Sequence, residues 1–242
     1  MDLGLMDKIA VVTGASAGIG LAVCEALVRE GAHVVAGARH SSPSLDRLAA
    51  SGSATVVLAD LTTAEGAAAL VDAAGGRVHV LVNNVGGSTA RPDGFAQVTD
   101  EQWLTSLTLN LMAAVRTTRA VLPRMLDGGG GSIVTIGSAN AGLPDPGIID
   151  YGAAKAALVN FTKALSKEVG GSGIRVNTVN PGPVATSRWR PDQVATVSRR
   201  MVTGRLTRPD EIADVVVMLA SNRTGNVTGA TWAVDGGLVP TV

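Results

Sequence analysis

Short apolar runs rich in valine and isoleucine alternate along this chain with longer, alanine-rich segments of helical period, and that alternation restricts the fold more than any other feature. The runs expected to be strands are Lys8–Thr13, His33–Ala38, Ala54–Ala59, Val78–Asn83, Ser132–Gly137, Ile174–Asn180 and Thr231–Val234. Between them the spacing predicts helices over Gly18–Glu30, Ser44–Ala50, Ala64–Ala74, Asp100–Leu126, Tyr151–Val169 and Arg208–Ala220, with a short one near Pro191–Met201. A strand that is apolar at nearly every position, rather than at alternate ones, is buried on both faces. Such strands separated by helices imply an α/β fold, a doubly wound parallel sheet with helices on both sides. Glu30-Gly31 is expected to end the first helix, Asp100 to cap the fourth, and Pro209 to open the last, where its missing N–H costs little. With 242 residues and 46% hydrophobic content the chain can bury a full core, and nothing in it reads as a linker. The expectation is one domain over residues 1–242, with Gly128 to Gly131 as a turn before the fifth strand.

Charge and cysteine content narrow the function classes. Twenty basic residues balance twenty acidic ones, which removes the electrostatic footprint of a nucleic-acid binder. No apolar stretch approaches the ~20 residues a membrane span needs, so no membrane partner is expected. Met1 to Lys8 carries Asp2 and Asp7 and no apolar run, so no signal peptide is read there. Cys24 is the single cysteine, which rules out intrachain disulfides and argues against a cysteine-based metal cage. These features together predict a cytoplasmic protein with no metal site.

Immediately after the first strand comes Thr13-Gly14-Ala15-Ser16-Ala17-Gly18-Ile19-Gly20. Gly14, Gly18 and Gly20 allow a tight turn and close backbone approach to a pyrophosphate at the following helix N-terminus, with Ser16 and Ile19 among them as candidate contacts. In such a unit the end of the second strand reaches the adenosine ribose, and an acidic residue there repels a 2′-phosphate. This chain has Ala38-Arg39-His40-Ser41 instead, with a guanidinium able to pair with phosphate. NADP(H) is therefore favoured, with NAD(H) as the alternative. Asp60 and Leu61, just after the third strand, are candidates for the adenine edge, and Asn84 and Gly86, after the fourth, would lie beside the cofactor.

Tyr151, the only tyrosine, stands four residues before Lys155, so a helix puts both on one face about a turn apart. A free tyrosine titrates near ~10, and a neighbouring cation stabilises its phenolate. Lowering it by ~3 units takes about 4 kcal/mol, more than one lysine in a largely aqueous site supplies, so a second cation such as an oxidised nicotinamide is expected nearby.

Together these segments resemble the short-chain dehydrogenase/reductase family, in its ~250-residue single-domain form, over nearly the whole chain. Thr13 to Gly20 resembles the family's cofactor motif, and Asn83 to Gly86 its Asn-Asn-Ala-Gly, with Val85 in place of alanine. The resemblance implies that Asn110, Ser138, Tyr151 and Lys155 form a catalytic tetrad. It also implies that Asn180-Pro181-Gly182-Pro183-Val184-Ala185-Thr186 closes over nicotinamide, with Pro181, Gly182, Val184 and Thr186 as cofactor contacts. The tail from Gly229 to Gly237 matches as well. The implied chemistry is hydride transfer between C4 of nicotinamide and a carbonyl carbon. Ser138 would hold the carbonyl oxygen, Tyr151 would deliver the proton, Lys155 would lower the tyrosine pKa and hold the nicotinamide ribose, and Asn110 would position a water leading to solvent. An asparagine in an apolar helix is costly unless satisfied, which supports a role for Asn110.

Two rival functions fit the sequence less well. A serine hydrolase does not fit, because Ser138 lies outside a G-x-S-x-G motif and His33, His40 and His79 all come early in the chain. An idle NADP-binding sensor places no demand on the lone tyrosine. The substrate, a small-molecule carbonyl or alcohol, is set by loops. These are Gly87–Ala96 with Ser88, Thr89 and Arg91, Ala141–Ile149 with Pro144 and Pro146, and Ser187–Thr203 with Arg188, Trp189, Arg190, Arg199 and Arg200. A 3-oxoacyl carrier-protein thioester is the alternative substrate, but Gly129 and Ser172 stand where such reductases of the family often carry basic residues. The long helices over 100–126 and 151–169 carry more apolar surface than one sheet face covers, which predicts a homodimer or homotetramer.

Overall fold

The structure is a computed structural model that describes residues 2–187 and 189–240, so Arg188 lies outside the described residues. Seven strands are found among the described residues: β1 Ile9–Thr13, β2 His33–Ala38, β3 Ala54–Leu58, β4 Val80–Asn83, β5 Gly131–Ile136, β6 Ile174–Pro181 and β7 Thr231–Val234. They form one parallel sheet in the order β3-β2-β1-β4-β5-β6-β7. The helices are α1 Gly18–Arg29, α2 Pro43–Ala50, α3 Ala64–Asp72, α4 Asp100–Leu107, α5 Ala113–Asp127, α6 Ile149–Val169, α7 Pro191–Ser198 and α8 Pro209–Ala220.

Alternate strand residues point to opposite faces, and each face buries its own core. Val12, Val34, Val82 and Val134 pack with Val23 and Leu27 of α1 and Ile212 and Val216 of α8. Val11, Val35, Leu81 and Ile133 pack on the other side with Leu70 of α3, Val121 and Met125 of α5, and Leu165 of α6. The continuous apolar runs therefore reflect burial on both faces, as expected. Because β1 lies between β2 and β4, the strand order reverses there, and the crevice outside the carboxyl ends of β1 and β4 is where a ligand of such a sheet binds.

Local chemistry moves some boundaries. The fourth helix is capped by Thr99, not Asp100: the Thr99 hydroxyl accepts from the Gln102 amide, and the Gln102 side chain accepts from the Thr99 amide. Residue types three apart decide the matter, and Asp100 sits in the first turn, where its charge favours the helix dipole. The predicted helix over 100–126 is also interrupted by a π-turn at Thr108–Met112. Glu30 ends α1, and Gly31 follows with φ 79°, as expected of a C-terminal glycine. The segment read as a substrate loop, 187–203, contains α7.

Candidate active site

The loop after β1 is shaped for an anion. Gly14 and Gly18 have φ of 67° and 56°, and a Cβ on Gly20 would lie 2.2 Å from the Gly14 carbonyl oxygen. Only glycine closes this turn. At the start of α1 no side chain caps the helix and no acidic residue occupies the first turn, so its N-terminal amides face the crevice unopposed. Ser16 and Ile19 flank them, both half-buried. The turn is braced from β4: Asn84 Nδ2 donates to the carbonyls of Thr13 and Gly14 at 2.9 and 3.0 Å, and Thr13 Oγ1 accepts from the amides of Asn84 and Val85. Asn84 thus shapes the cradle through its side chain.

At the end of β2, Ala38 is buried and Arg39 is exposed with no carboxylate beside it in sequence. Asp60 is exposed too. Its carboxyl is held below the usual range, first by hydrogen bonds from Thr62 and, more weakly, by the Arg39 guanidinium. Leu61 is 3% exposed and packs in the core, so its main chain alone is available to a ligand. Across the crevice, Pro181 ends β6 and Gly182 passes so close to Asp235 that a Cβ would lie 2.8 Å from its Cα. Val184 bridges to Thr207, and the Thr186 methyl comes within 3.6 Å of a Cβ position on Gly18. These positive-φ glycines, uncapped amides and close backbone passages fit a dinucleotide.

The four candidate catalytic residues come from three places in the fold: Tyr151 and Lys155 from α6, Asn110 from the π-turn and Ser138 from just after the end of β5. Lys155 is 3% exposed and donates to the Ile136 carbonyl at 2.7 Å. Its ammonium lies 5.9 Å from the Tyr151 ring centroid, and burial pushes its pKa down to about 8. Asn110 sits in the π-turn, 1% exposed, where its Oδ1 accepts from the Gly87 amide and its Nδ2 donates to the carbonyls of Gly87 and Ser106. Its side chain is committed to fixing Gly87. Breaks of this kind in the α-helical ladder recur at functional sites. A Cβ on Gly86 would lie 2.8 Å from Asn110 Oδ1 and 3.1 Å from Lys155 Nζ. Ser138, 7% exposed, follows β5; its hydroxyl accepts from the Asn140 amide.

Two features escaped the sequence reading. Asn180 Oδ1 accepts from the Ser138 amide at 3.1 Å, and it fits only because residue 137 is glycine, where a Cβ would come within 1.9 Å of that oxygen. Asn180 is one of several polar residues of β6, beside Arg175, Asn177 and Thr178, so nothing in the sequence marked it out. Arg91 and Asp150 form a buried ion pair at 2.6 Å beside Tyr151. A cavity of about 420 Å³ beside Thr186 is lined by Ser187, Trp189, Val194 and Leu206, whereas Tyr151 and Ser138 do not line it. Of the loop arginines, Arg190 is exposed and pairs with Asp192, while Arg199 and Arg200 are exposed. The histidines do not approach Ser138 in the manner of a hydrolase: His33 and His79 lie at the amino ends of β2 and β4, bonded to Thr55 and to the Ile9 amide. His40 is exposed beyond β2.

Comparison with known proteins agrees with this geometry. A family described as enoyl-(acyl carrier protein) reductase matches residues 14–239. The 3-oxoacyl-[acyl-carrier-protein] reductase of Escherichia coli is 37% identical over 238 residues, covering 96% of this chain and 97% of that one. The D-threitol dehydrogenase of Mycolicibacterium smegmatis is 36% identical, covering 98% and 94%. Among solved structures, L-sorbose reductase from Gluconobacter frateurii, complexed with NADPH and L-sorbose, superposes with a TM-score of 0.94 at 34% identity over 100% of both chains.

Proposed function

We propose, starting from the fact that the chain belongs to the short-chain dehydrogenase/reductase family, that it is an NADP(H)-dependent oxidoreductase interconverting a small carbonyl compound and its secondary alcohol. The observation that carries the reading is the crowding around Gly86. There a Cβ would lie 2.8 Å from the Asn110 carboxamide oxygen and 3.1 Å from the desolvated Lys155 ammonium, which itself faces the ring of the sole tyrosine. An idle binding fold gains nothing from a buried, destabilised lysine at that point.

When bound, the dinucleotide supplies a hydride to the carbonyl carbon. The Ser138 hydroxyl holds the carbonyl oxygen, its own amide fixed by Asn180. The Tyr151 hydroxyl gives its proton to that oxygen as negative charge develops there. The Lys155 ammonium, turned toward the ring, stabilises the charge left on the phenol oxygen and would hold the nicotinamide ribose. Asn110 keeps Gly87 and the π-turn in place, so that a water joining Lys155 to solvent has a fixed seat.

Steady NADPH consumption with a panel of ketoses, simple ketones and a 3-oxoacyl thioester tests the reading. Turnover of a free small carbonyl is expected. NADPH binding without turnover of any of them would favour a sensor. A thioester of a carrier protein is the weaker second reading, since no cation stands at Gly129 or Ser172.

Arg39 is exposed at the ribose end, so NADPH is expected to bind better than NADH, by the 10- to 100-fold (about 1.5–3 kcal/mol) of charge-assisted hydrogen bonds. Because Ala38 is buried, a carboxylate belongs at position 39, and Arg39→Asp should reverse the preference. Equal KM values for both cofactors in the unmodified protein would sink the assignment. A homodimer or homotetramer is also expected in light scattering at micromolar concentration. Leu104 and Leu126, on α4 and α5, are 64% and 44% exposed, and Trp232 on edge strand β7 is 38% exposed, apolar surface that a second copy would cover. A monomer would contradict it.

A further inference from the structure

From residue 89 to residue 97 the substrate loop is exposed at every position except Arg91. That side chain turns inward and meets Asp150, which is 1% exposed, with Arg91 Nη2 donating to Asp150 Oδ2 at 2.6 Å. The Arg91 amide also donates to the Gly147 carbonyl at 2.8 Å, so side chain and backbone grip the same stretch ahead of α6. Where it begins the loop is gripped by Asn110, which bonds both the amide and the carbonyl of Gly87. Asp150 immediately precedes Tyr151 in the first turn of α6, where no side chain caps the helix and a carboxylate interacts well with its dipole. The loop is thus pinned at Gly87, where it begins, to the turn carrying Asn110 and at Arg91, near its middle, to the turn carrying Tyr151.

We infer that Arg91 and Asp150 act as a positioning latch, holding the substrate loop on the amino end of α6 and so fixing the distance between Tyr151 and a carbonyl held at Ser138; this rests on the oxidoreductase reading. Stability alone does not account for the pair. Asp150 Oδ1 and Arg91 Nε are buried without a hydrogen-bond partner among the described residues, so the pair makes one bond where a guanidinium and a carboxylate can make two. A buried ion pair left partly unsatisfied is generally no better for stability than apolar side chains of similar size. What charge and direction add here is placement, and a proton donor misplaced by about 1 Å loses on the order of 10²-fold in rate.

The test uses the full chain with NADPH and its best carbonyl substrate from the panel above. Either single truncation strands a buried charge, so the decisive variant is Arg91→Met with Asp150→Leu, which removes both. It is expected to keep the parent's melting temperature within a few degrees and its NADPH Kd, read by nicotinamide fluorescence, while kcat falls on the order of 10²-fold. Arg91→Lys, which keeps the charge but not the planar fork, should lie between parent and double variant. A folded double variant with the parent's kcat and KM overturns the latch, because the pair then serves folding only. Should the double variant not fold, Arg91→Lys decides: kcat lowered by about threefold or more at unchanged melting temperature supports the latch, and unchanged kcat overturns it. Failure of the oxidoreductase reading shows separately, as no carbonyl reduction by the unmodified protein.

Discussion

Tyr151→Phe is expected to leave a folded protein that binds NADPH and scarcely reduces its carbonyl substrate. The substitution keeps the ring against the Lys155 ammonium, 5.9 Å from its centroid, and keeps the packing of the half-buried side chain. It removes one hydroxyl, a change worth about 1 kcal/mol or less in stability. Catalysis loses more. A positioned general acid contributes on the order of 10²- to 10⁴-fold, and a hydrogen bond to the developing alkoxide is lost with it. No neighbour replaces the proton easily: tyrosine occurs once in this sequence, an aliphatic hydroxyl such as that of Ser138 is far too weak an acid, and the Lys155 ammonium donates to the Ile136 carbonyl. Steady-state turnover measured beside a melting curve and a fluorescence titration of NADPH checks all three expectations. An unchanged rate would remove Tyr151 from the reaction and favour the sensor reading.

The features legible in the sequence were those set by composition over a few neighbouring residues. Runs rich in valine and isoleucine stand out between alanine-rich helical segments, so all seven strands could be read, with ends displaced by a residue or two, although β7, with three of its four residues exposed, is not buried on both faces. Glycines that close a tight strand-to-helix turn leave a spacing, so Gly14, Gly18 and Gly20 were legible as well. What remained hidden depends on contacts between distant residues. The π-turn at Asn110 coincides with two bonds to Gly87, 23 positions away, and no helical period reports that. That the Leu61 side chain packs against Gly37, leaving its main chain for a ligand, was not legible either. Asn180 supports Ser138 across 42 residues, and Arg91 meets Asp150 across 59. Each looked like an ordinary polar residue until the fold brought its partner alongside.

Lys155→Met separates the two demands that the site makes on one side chain, and its expected result runs in opposite directions for stability and activity. Burial lowers the Lys155 pKa from 10.5 to about 8, so the folded state holds this proton less tightly than the unfolded chain does. Below pH 8 both states are charged, and the folded one carries the whole desolvation penalty, about 3 kcal/mol for a displacement of that size. Between pH 8 and 10.5 the unfolded chain binds more protons, so stability from this group rises with pH across that window and levels off above it. Methionine has no charge to desolvate. The variant without cofactor should therefore melt higher than the parent at pH 7, by roughly 2 kcal/mol after loss of the bond to the Ile136 carbonyl is deducted, and gain less between pH 8 and 10.5. Turnover should fall at least as far as in Tyr151→Phe, and NADPH binding should weaken if, as proposed, the ammonium that faces the phenol also holds the ribose. Melting curves from pH 7 to 10.5, with and without NADPH, read both effects. A variant no more stable than the parent at pH 7 would show that the buried ammonium is not penalised. If instead the stability gain appears with turnover intact, the lysine is a burden the fold carries for nothing, and its place beside Tyr151 loses its chemical reason.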